Sequence, residues 1–350
     1  MSTETARVGA LLQRASSARM AQATQTEQPC SLCGQRRVAL LELTARDGSA
    51  LKSVVCLGCG LVRSDPIPSE AELRSFYRSS YRSCYKGVRE PKLKHVARAG
   101  KLAVARYRRI SRYFQPGGRV LDIGCGGGEW LYLLKRTGIP AIGIEADPHY
   151  AGFARTMLGV DVQEASLCEA SFSAESFPLI TLFHVLEHLH NPVEALRQCL
   201  GWLRSGGHLV VEVPNLASHH QHPSTRFHRA HLHGFVPLTL ALAGRKAGAH
   251  LVELKTDRFD RNITAVFQKS SSPEPFRLPS GEQVSTVVST LRKHSIVAYY
   301  SSPVTYARFA LRISQFAREQ AATCGKKHPR QVLDTAMRDV AGLLSPSDRL

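Results

Sequence analysis

The chain has 350 residues, 43% of them hydrophobic, enough for two domains or one large domain with appendages. No apolar run approaches the ~20 residues of a membrane-spanning helix, which excludes that class. The formal charge of +18 suits either a solvated basic face or a surface for phosphate-bearing partners.

Residues 1–28 carry a short apolar patch, Val8 to Leu12, without a longer apolar region and cleavage site behind it. They are rich in Ala, Ser and Arg, but Glu4 and Glu27 argue against a transit peptide, and a flexible tail is expected. Nine cysteines without a secretion signal suit a reducing, cytoplasmic compartment.

Residues 29–66 hold two knuckles, Cys30-Ser-Leu-Cys33-Gly34 and Cys56-Leu-Gly-Cys59-Gly60. Each glycine permits a tight turn that brings backbone amides to the sulfurs. The 22 residues between the knuckles suit a short hairpin, so Cys30, Cys33, Cys56 and Cys59 are the expected ligands of a Zn2+ ion. Four thiolates leave no position for a catalytic water, so the zinc would be structural. The other five, Cys84, Cys125, Cys168, Cys199 and Cys324, read as buried small hydrophobes.

Residues 67–117 form a helical, basic connection. Ser69 and Glu72 make a capping box, and a long helical segment runs from Leu93 to Phe114. Between Arg74 and Arg119 there are fourteen Lys/Arg against the single Glu90. Either this charge decorates a solvated helix face, or it receives a phosphate-bearing partner such as a nucleotide sugar, a lipid headgroup or RNA.

Within 118–270 strands and helices alternate. VLDIG (120–124), AIGIE (141–145), VDVQE (160–164), PLITLFHV (178–185) and HLVVEVP (208–214) read as strands, with helices over Glu129–Thr137, Pro148–Leu158 and Asn191–Leu203 between them. Such alternation implies a parallel sheet covered on both faces, with ligands beyond the carboxyl ends of its central strands. Pro214–Phe235 is a long, histidine-loaded loop expected to roof the site, and a helix over Val236–Gly248 and a closing pair of strands follow.

Residues 271–350 read as a Ser/Pro-rich linker and C-terminal helices. Tyr306, Phe309, Ile313 and Phe316 fall on one helical face with Arg308, Arg312 and Arg318 alongside. That face is expected to pack on the domain, with a peripheral membrane contact as the alternative. A second amphipathic segment spans Val332–Leu344.

The loop after the first sheet strand reads Asp122-Ile-Gly124-Cys125-Gly126-Gly-Gly128-Glu129. A dinucleotide fingerprint would need a third glycine where Glu129 or Leu131 stands, and a carboxylate at a helix start opposes a pyrophosphate. The pattern suits instead a ligand with an ammonium and a sulfonium. Asp122 and the loop carbonyls would receive the ammonium, and Glu145 at the next strand end would accept both ribose hydroxyls. Ala146 and Leu167 would flank an adenine.

VLDIGCGGG, IGIEADP, LITLFHVLEHL and VVEVPN, in that order, resemble class I S-adenosylmethionine-dependent methyltransferases over roughly Arg119–Lys269. The resemblance implies a Rossmann-like α/β fold with a seven-stranded sheet, S-adenosylmethionine as cofactor, and Asp122, Gly124, Cys125, Gly126, Gly128, Glu145, Ala146, Leu167 and His184 around it. The paired knuckles and FYRSSY further resemble a subset with an amino-terminal zinc ribbon, including sugar C-methyltransferases. That resemblance implies that Tyr77 and Tyr81 close over the cofactor, with packing of ribbon on core as the alternative.

His184-Val-Leu-Glu187-His188 has the spacing of one class of zinc peptidase. Here it straddles a strand end, so its histidines do not share a helix face, and a peptidase is excluded on that ground. By the resemblance His184 lies near the activated methyl, while Glu187 and His188 begin the crossover to the next helix. Methyltransferases of ortho-diphenols carry Glu-x-x-Glu-His and a divalent cation here, and His184 replaces the first Glu. In sugar C-methyltransferases a Tyr, a Glu and a His surround the sugar, at the places of His228, Ala230 and His231. His184, Glu187, His188 and His231 are thus the catalytic candidates, a histidine serving as base.

The resulting expectation is in-line methyl transfer to a small-molecule or carrier-linked acceptor, of glycan or secondary-metabolite type. One alternative is an RNA methyltransferase using the ribbon and basic segment, although the Asn/Asp-Pro-Pro-Tyr motif of amino-group enzymes is missing. A second is a binding protein that keeps the sheet without the chemistry.

Overall fold

The computed structural model describes residues 23–79, 90–270 and 275–338. Tyr81, Cys84 and the side chain of Tyr77 lie outside the described residues.

The first layer is an antiparallel ribbon of β1 (Ala23–Gln25), β2 (Arg37–Thr44), β3 (Ala50–Cys56) and β4 (Val62–Ser64). Helices α1 (Glu70–Ser79) and α2 (Leu93–Ile110) follow. The second layer contains β5 (Val120–Ile123), α3 (Glu129–Arg136), β6 (Ala141–Glu145), α4 (Pro148–Phe153), β7 (Val162–Glu164), β8 (Phe177–Phe183), α5 (Pro192–Trp202) and β9 (Leu203–Pro214). A two-residue strand β10 (His233–Gly234), α6 (Pro237–Ala247), β11 (Ala249–Thr256) and β12 (Asn262–Lys269) come next. Helices α7 (Gly281–Lys293), α8 (Ile296–Ser301), α9 (Pro303–Thr323) and α10 (Pro329–Ala336) end the described chain.

The large sheet has seven strands in the order β11-β12-β9-β8-β5-β6-β7. Its five inner and edge strands from β9 to β7 are parallel, and the β12 pairings to β9 and β11 are antiparallel. The sheet is Rossmann-like, as its alternation implied. β5 and β8 are apolar along almost their whole length because both faces are covered. On one face α2 supplies Val96, Ala103, Val104, Tyr107 and Ile110 to a core with Val120, Leu179 and Val210.

The ribbon does not stand apart from this core. Its knuckle residues Cys30, Leu32, Cys56, Cys59 and Leu61 are buried in one cluster with Leu121, Ile180 and Leu182 of the large sheet. β10, which belongs to the histidine loop, pairs antiparallel with β4, placing His233 opposite Arg63 and Gly234 opposite Val62. The roof loop is therefore the fifth strand of the ribbon sheet.

Three sequence expectations change here. Cys125 and Cys199 are buried, but Cys168 and Cys324 are exposed. The apolar stripe of α9 does not pack on the domain: Tyr306, Phe309, Ile313 and Phe316 are each at least 60% exposed. Part of the basic segment is matched within the molecule. Arg98 pairs with Glu319, Arg106 and Arg109 with Glu212, Arg112 with Glu253 and Arg119 with Asp161. No helix among the described residues is long and apolar enough to cross a membrane.

Candidate active site

The ribbon's four sulfurs converge. Cys30 Sγ lies 3.6 Å from Cys59 Sγ, and Cys33 Sγ lies 3.4 Å from Cys56 Sγ. All four lie within 4.8 Å of one another. Zinc–sulfur bonds of about 2.3 Å in a tetrahedron place sulfurs about 3.8 Å apart, so the set fits a structural zinc ion. Gly34 and Gly60 turn the knuckles at φ +78° and +80°, and their amides donate to the Cys30 and Cys56 carbonyls.

The second centre lies at the carboxyl ends of β5, β6 and β8, around a cavity of about 760 Å³. That is within the roughly 300–1,000 Å³ of small-molecule sites. Gly124, Glu145, Ala146, Leu167, His184, Glu187, His188 and His231 all line it. Gly124 adopts φ +67°, and a Cβ there would sit 2.6 Å from Val185 Cγ2, so a side chain would displace the loop below His184. The carboxylate of Glu145, at the end of β6, accepts the amide of Gly126 at 2.8 Å and that of Asp147 at 3.0 Å. These two bonds fix the carboxylate at the cavity edge.

Asp122, Cys125, Gly126 and Gly128 are not among the residues that line the cavity. Burial pushes the Asp122 carboxyl up to about 7, while the hydroxyl of Thr181, donating at 2.7 Å, works to lower it. Gly128 is the left-handed residue that starts α3, and a Cβ there would meet Ala154 Cβ at 2.8 Å.

The HVLEH segment turns sharply at the end of β8. His184 is in the left-handed region at φ +58°, uncommon for a residue with a Cβ, and its amide donates to the Glu212 carbonyl at 2.8 Å. Its Nδ1 lies 3.4 Å from Glu187 Oε1 and its Nε2 3.4 Å from Glu212 Oε1. Burial disfavours the imidazolium, but the two flanking carboxylates prevail and raise its pKa to about 9. The opposite holds for Glu187. Burial would raise it, yet His184 and His188 bring it down to about 2.

Glu187 and His188 lie in a 3₁₀ turn, Leu186–His188, with Glu187 fully buried. His188 Nδ1 is 2.7 Å from the Ala230 carbonyl of the roof loop. A carbonyl only accepts, so Nδ1 carries the proton and a neutral His188 keeps its lone pair on Nε2, 3.8 Å from Glu187 Oε1. The His231 ring stands edge-on to His188 at 4.9 Å and stacks on His228 at 4.7 Å. Burial, assisted by His188, lowers the His231 pKa to about 3 and keeps it neutral. Ligand atoms of Glu187, His188 and His231 lie within 4.8 Å of one another, close enough to hold a divalent cation.

Sequence reading missed Glu212. It sits mid-run in the apolar segment Val210–Val213, where a lone buried carboxylate is the only signal. Its side chain receives Arg106 at 2.6 Å and Arg109 at 3.2 Å as well as His184. Glu70, Leu73 and Arg74 of α1 also line the cavity and were not expected there.

A family described as "Methyltransferase domain" matches residues 95–254, from within α2 to β11. Among curated proteins, the Ubiquinone biosynthesis O-methyltransferase of Xanthomonas campestris pv. campestris is 32% identical over 111 residues, 30% of this chain and 46% of that protein. The protein of that name from Hahella chejuensis is 32% identical over 106 residues, 29% of this chain and 44% of its own length. The chain thus spans under half the length of these relatives. A solved S-adenosylmethionine-dependent methyltransferase from Archaeoglobus fulgidus is 22% identical, covering 54% of this chain and 97% of its own, with a TM-score of 0.39. Another, from Methanosarcina mazei, is 16% identical, covering 47% and 99%, with a TM-score of 0.41. Over residues 95–254 the chain thus matches a methyltransferase domain, and its glycine loop and strand order fit the class I S-adenosylmethionine-dependent type.

Proposed function

We propose that the protein transfers a methyl group from S-adenosylmethionine to a hydroxyl of a small-molecule or carrier-linked acceptor. The observation that carries this reading is a single cavity lined both by Gly124 and Glu145 and by His184, His188 and His231. Asp122, Gly124, Cys125, Gly126, Gly128, Glu145, Ala146 and Leu167 are the proposed cofactor contacts. The names of the curated relatives support an oxygen acceptor of small size. When bound, the cofactor supplies the electrophilic methyl, and the rate would come mainly from holding the acceptor in line with it.

The three histidines divide by environment. His184, held between two carboxylates, stays cationic at neutral pH and cannot take a proton there. His231 is neutral but weakly basic. His188 has its proton fixed on Nδ1 by Ala230 and its lone pair on Nε2, so it is the proposed base. Ionised Glu187 beside it would stabilise the imidazolium formed. Incubation with methyl-labelled S-adenosylmethionine and a panel of phenolic and sugar hydroxyls tests this. His188→Gln should lower kcat by roughly 10²-fold or more while leaving the cofactor Kd unchanged. Unaltered kcat would reject His188 as base.

A second reading places a divalent cation on Glu187, His188 and His231, where it would orient and acidify the hydroxyl. Activity lost to a chelator and restored by a divalent ion other than zinc would favour it over the free base.

A further inference from the structure

We propose that α8 and α9 form a docking face for anionic phospholipid membrane. Helix α9 has 21 residues, yet only Thr305 and Glu319 are buried. Tyr306, Phe309, Ile313 and Phe316, spaced at i, i+3, i+7 and i+10, make one apolar stripe between 60% and 67% exposed. The hydroxyl of Tyr306 donates to the Tyr300 carbonyl at 3.0 Å, so the stripe continues into α8, where Val297 and Tyr300 are also exposed. An exposed apolar face this long marks an interaction site rather than ordinary surface.

Charge selects the occupant. The one acid of α9, Glu319, is buried and held by Arg98 through two hydrogen bonds of 2.9 and 2.8 Å. Arg312 flanks the stripe and is exposed, Arg318 is exposed further round the helix, and Lys327 follows in the next turn. Arg308 lies against the positive charges of Arg261 and Arg312, and its Nη1 is buried without a hydrogen-bond partner. A helix with aromatic and branched residues on one face and arginines beside them lies in the plane of a membrane surface. Its apolar side chains enter the headgroup boundary, and its cations meet anionic headgroups. A second copy of this basic chain meeting through the same face would have to bury these arginines against compensating acids, which α8 and α9 do not supply.

The test is co-sedimentation of the full chain with phosphatidylcholine vesicles, with and without phosphatidylglycerol. Binding should be roughly tenfold tighter or more with the anionic lipid and should weaken as salt screens it. Phe309→Asp with Phe316→Asp should abolish binding without shifting the thermal midpoint, since both side chains are already exposed. Arg312→Glu with Arg318→Glu should erase the difference between the two lipid compositions. No sedimentation with either vesicle overturns the proposal. So does a dimer in sedimentation velocity that the Phe309/Phe316 variant converts to a monomer, because the face would then be an interface between copies. Cofactor binding plays no part in these readouts, so the proposal and the catalytic reading fail independently.

Discussion

Glu212 gathers most of the charge around the site, and Glu212→Gln removes that charge with little change of shape. Its Oε1 receives Nη2 of Arg106 at 2.6 Å and Nε at 3.1 Å, and its Oε2 receives Arg109 at 3.2 Å. Removing one member of a buried ion pair costs about 3–5 kcal/mol, because the partner charge stays desolvated. The Arg106 side chain is 16% exposed and that of Arg109 34%, so water compensates in part and about 2–3 kcal/mol is expected. Arg106 also packs 4.1 Å over the Phe183 ring, which keeps it from swinging fully into solvent. Urea denaturation should show a lower midpoint at unchanged m. In the same variant His184 loses one of its two carboxylates, so its imidazolium should titrate well below about 9 by NMR. A stability change under about 0.5 kcal/mol, with His184 unmoved, would refute the network as described.

Metal analysis should find one zinc per chain, and Cys56→Ser should lose it and loosen the β4–β10 pairing, read as faster amide exchange at His233 and Gly234. Zinc-free protein with unchanged exchange would contradict that link. Gly124→Ala forces a Cβ within 2.6 Å of Val185 at a left-handed φ, strain of about 1–2 kcal/mol before the clash, and should weaken cofactor binding about tenfold or more. Equal affinity would show that the loop yields there. For pH, His184 has a folded pKa of about 9 against an ordinary 6.5. Its stabilisation is therefore complete below about 6.5 and is lost as pH rises through 9. Denaturation across that window should show declining stability that His184→Asn abolishes, and a flat profile would count against the carboxylate clamp. Glu187, lowered from 4.5 to about 2, gives the opposite dependence, with its stabilisation complete above 4.5 and lost as pH falls through 2.

Much of this was legible in the sequence where a single local rule acts. The buried strands β5 and β8 are near-continuous apolar runs, and the knuckles announce themselves by spacing. Legibility failed where a residue's meaning depends on a distant partner. The fourteen basic residues of 74–119 read equally as a solvated face or a docking surface, and the sequence does not show that Glu212, Glu253 and Glu319, all more than 130 positions beyond Arg74, pair with Arg98, Arg106, Arg109 and Arg112. Strand β10 is two residues long, one a histidine, and exists because β4 offers it an edge across 170 positions of sequence. Likewise the Tyr306–Phe316 stripe has the periodicity of a packed helix, yet among the described residues it lies exposed.

The central claim is that this domain holds S-adenosylmethionine in the cavity edged by Gly124 and Glu145. Calorimetric titration of the full chain with S-adenosylmethionine tests it most directly. One site per chain should saturate, and Glu145→Ala should weaken it about tenfold or more by removing the acceptor for the ribose hydroxyls. No heat of binding to folded, zinc-loaded protein, or an affinity indifferent to Glu145, would contradict the account.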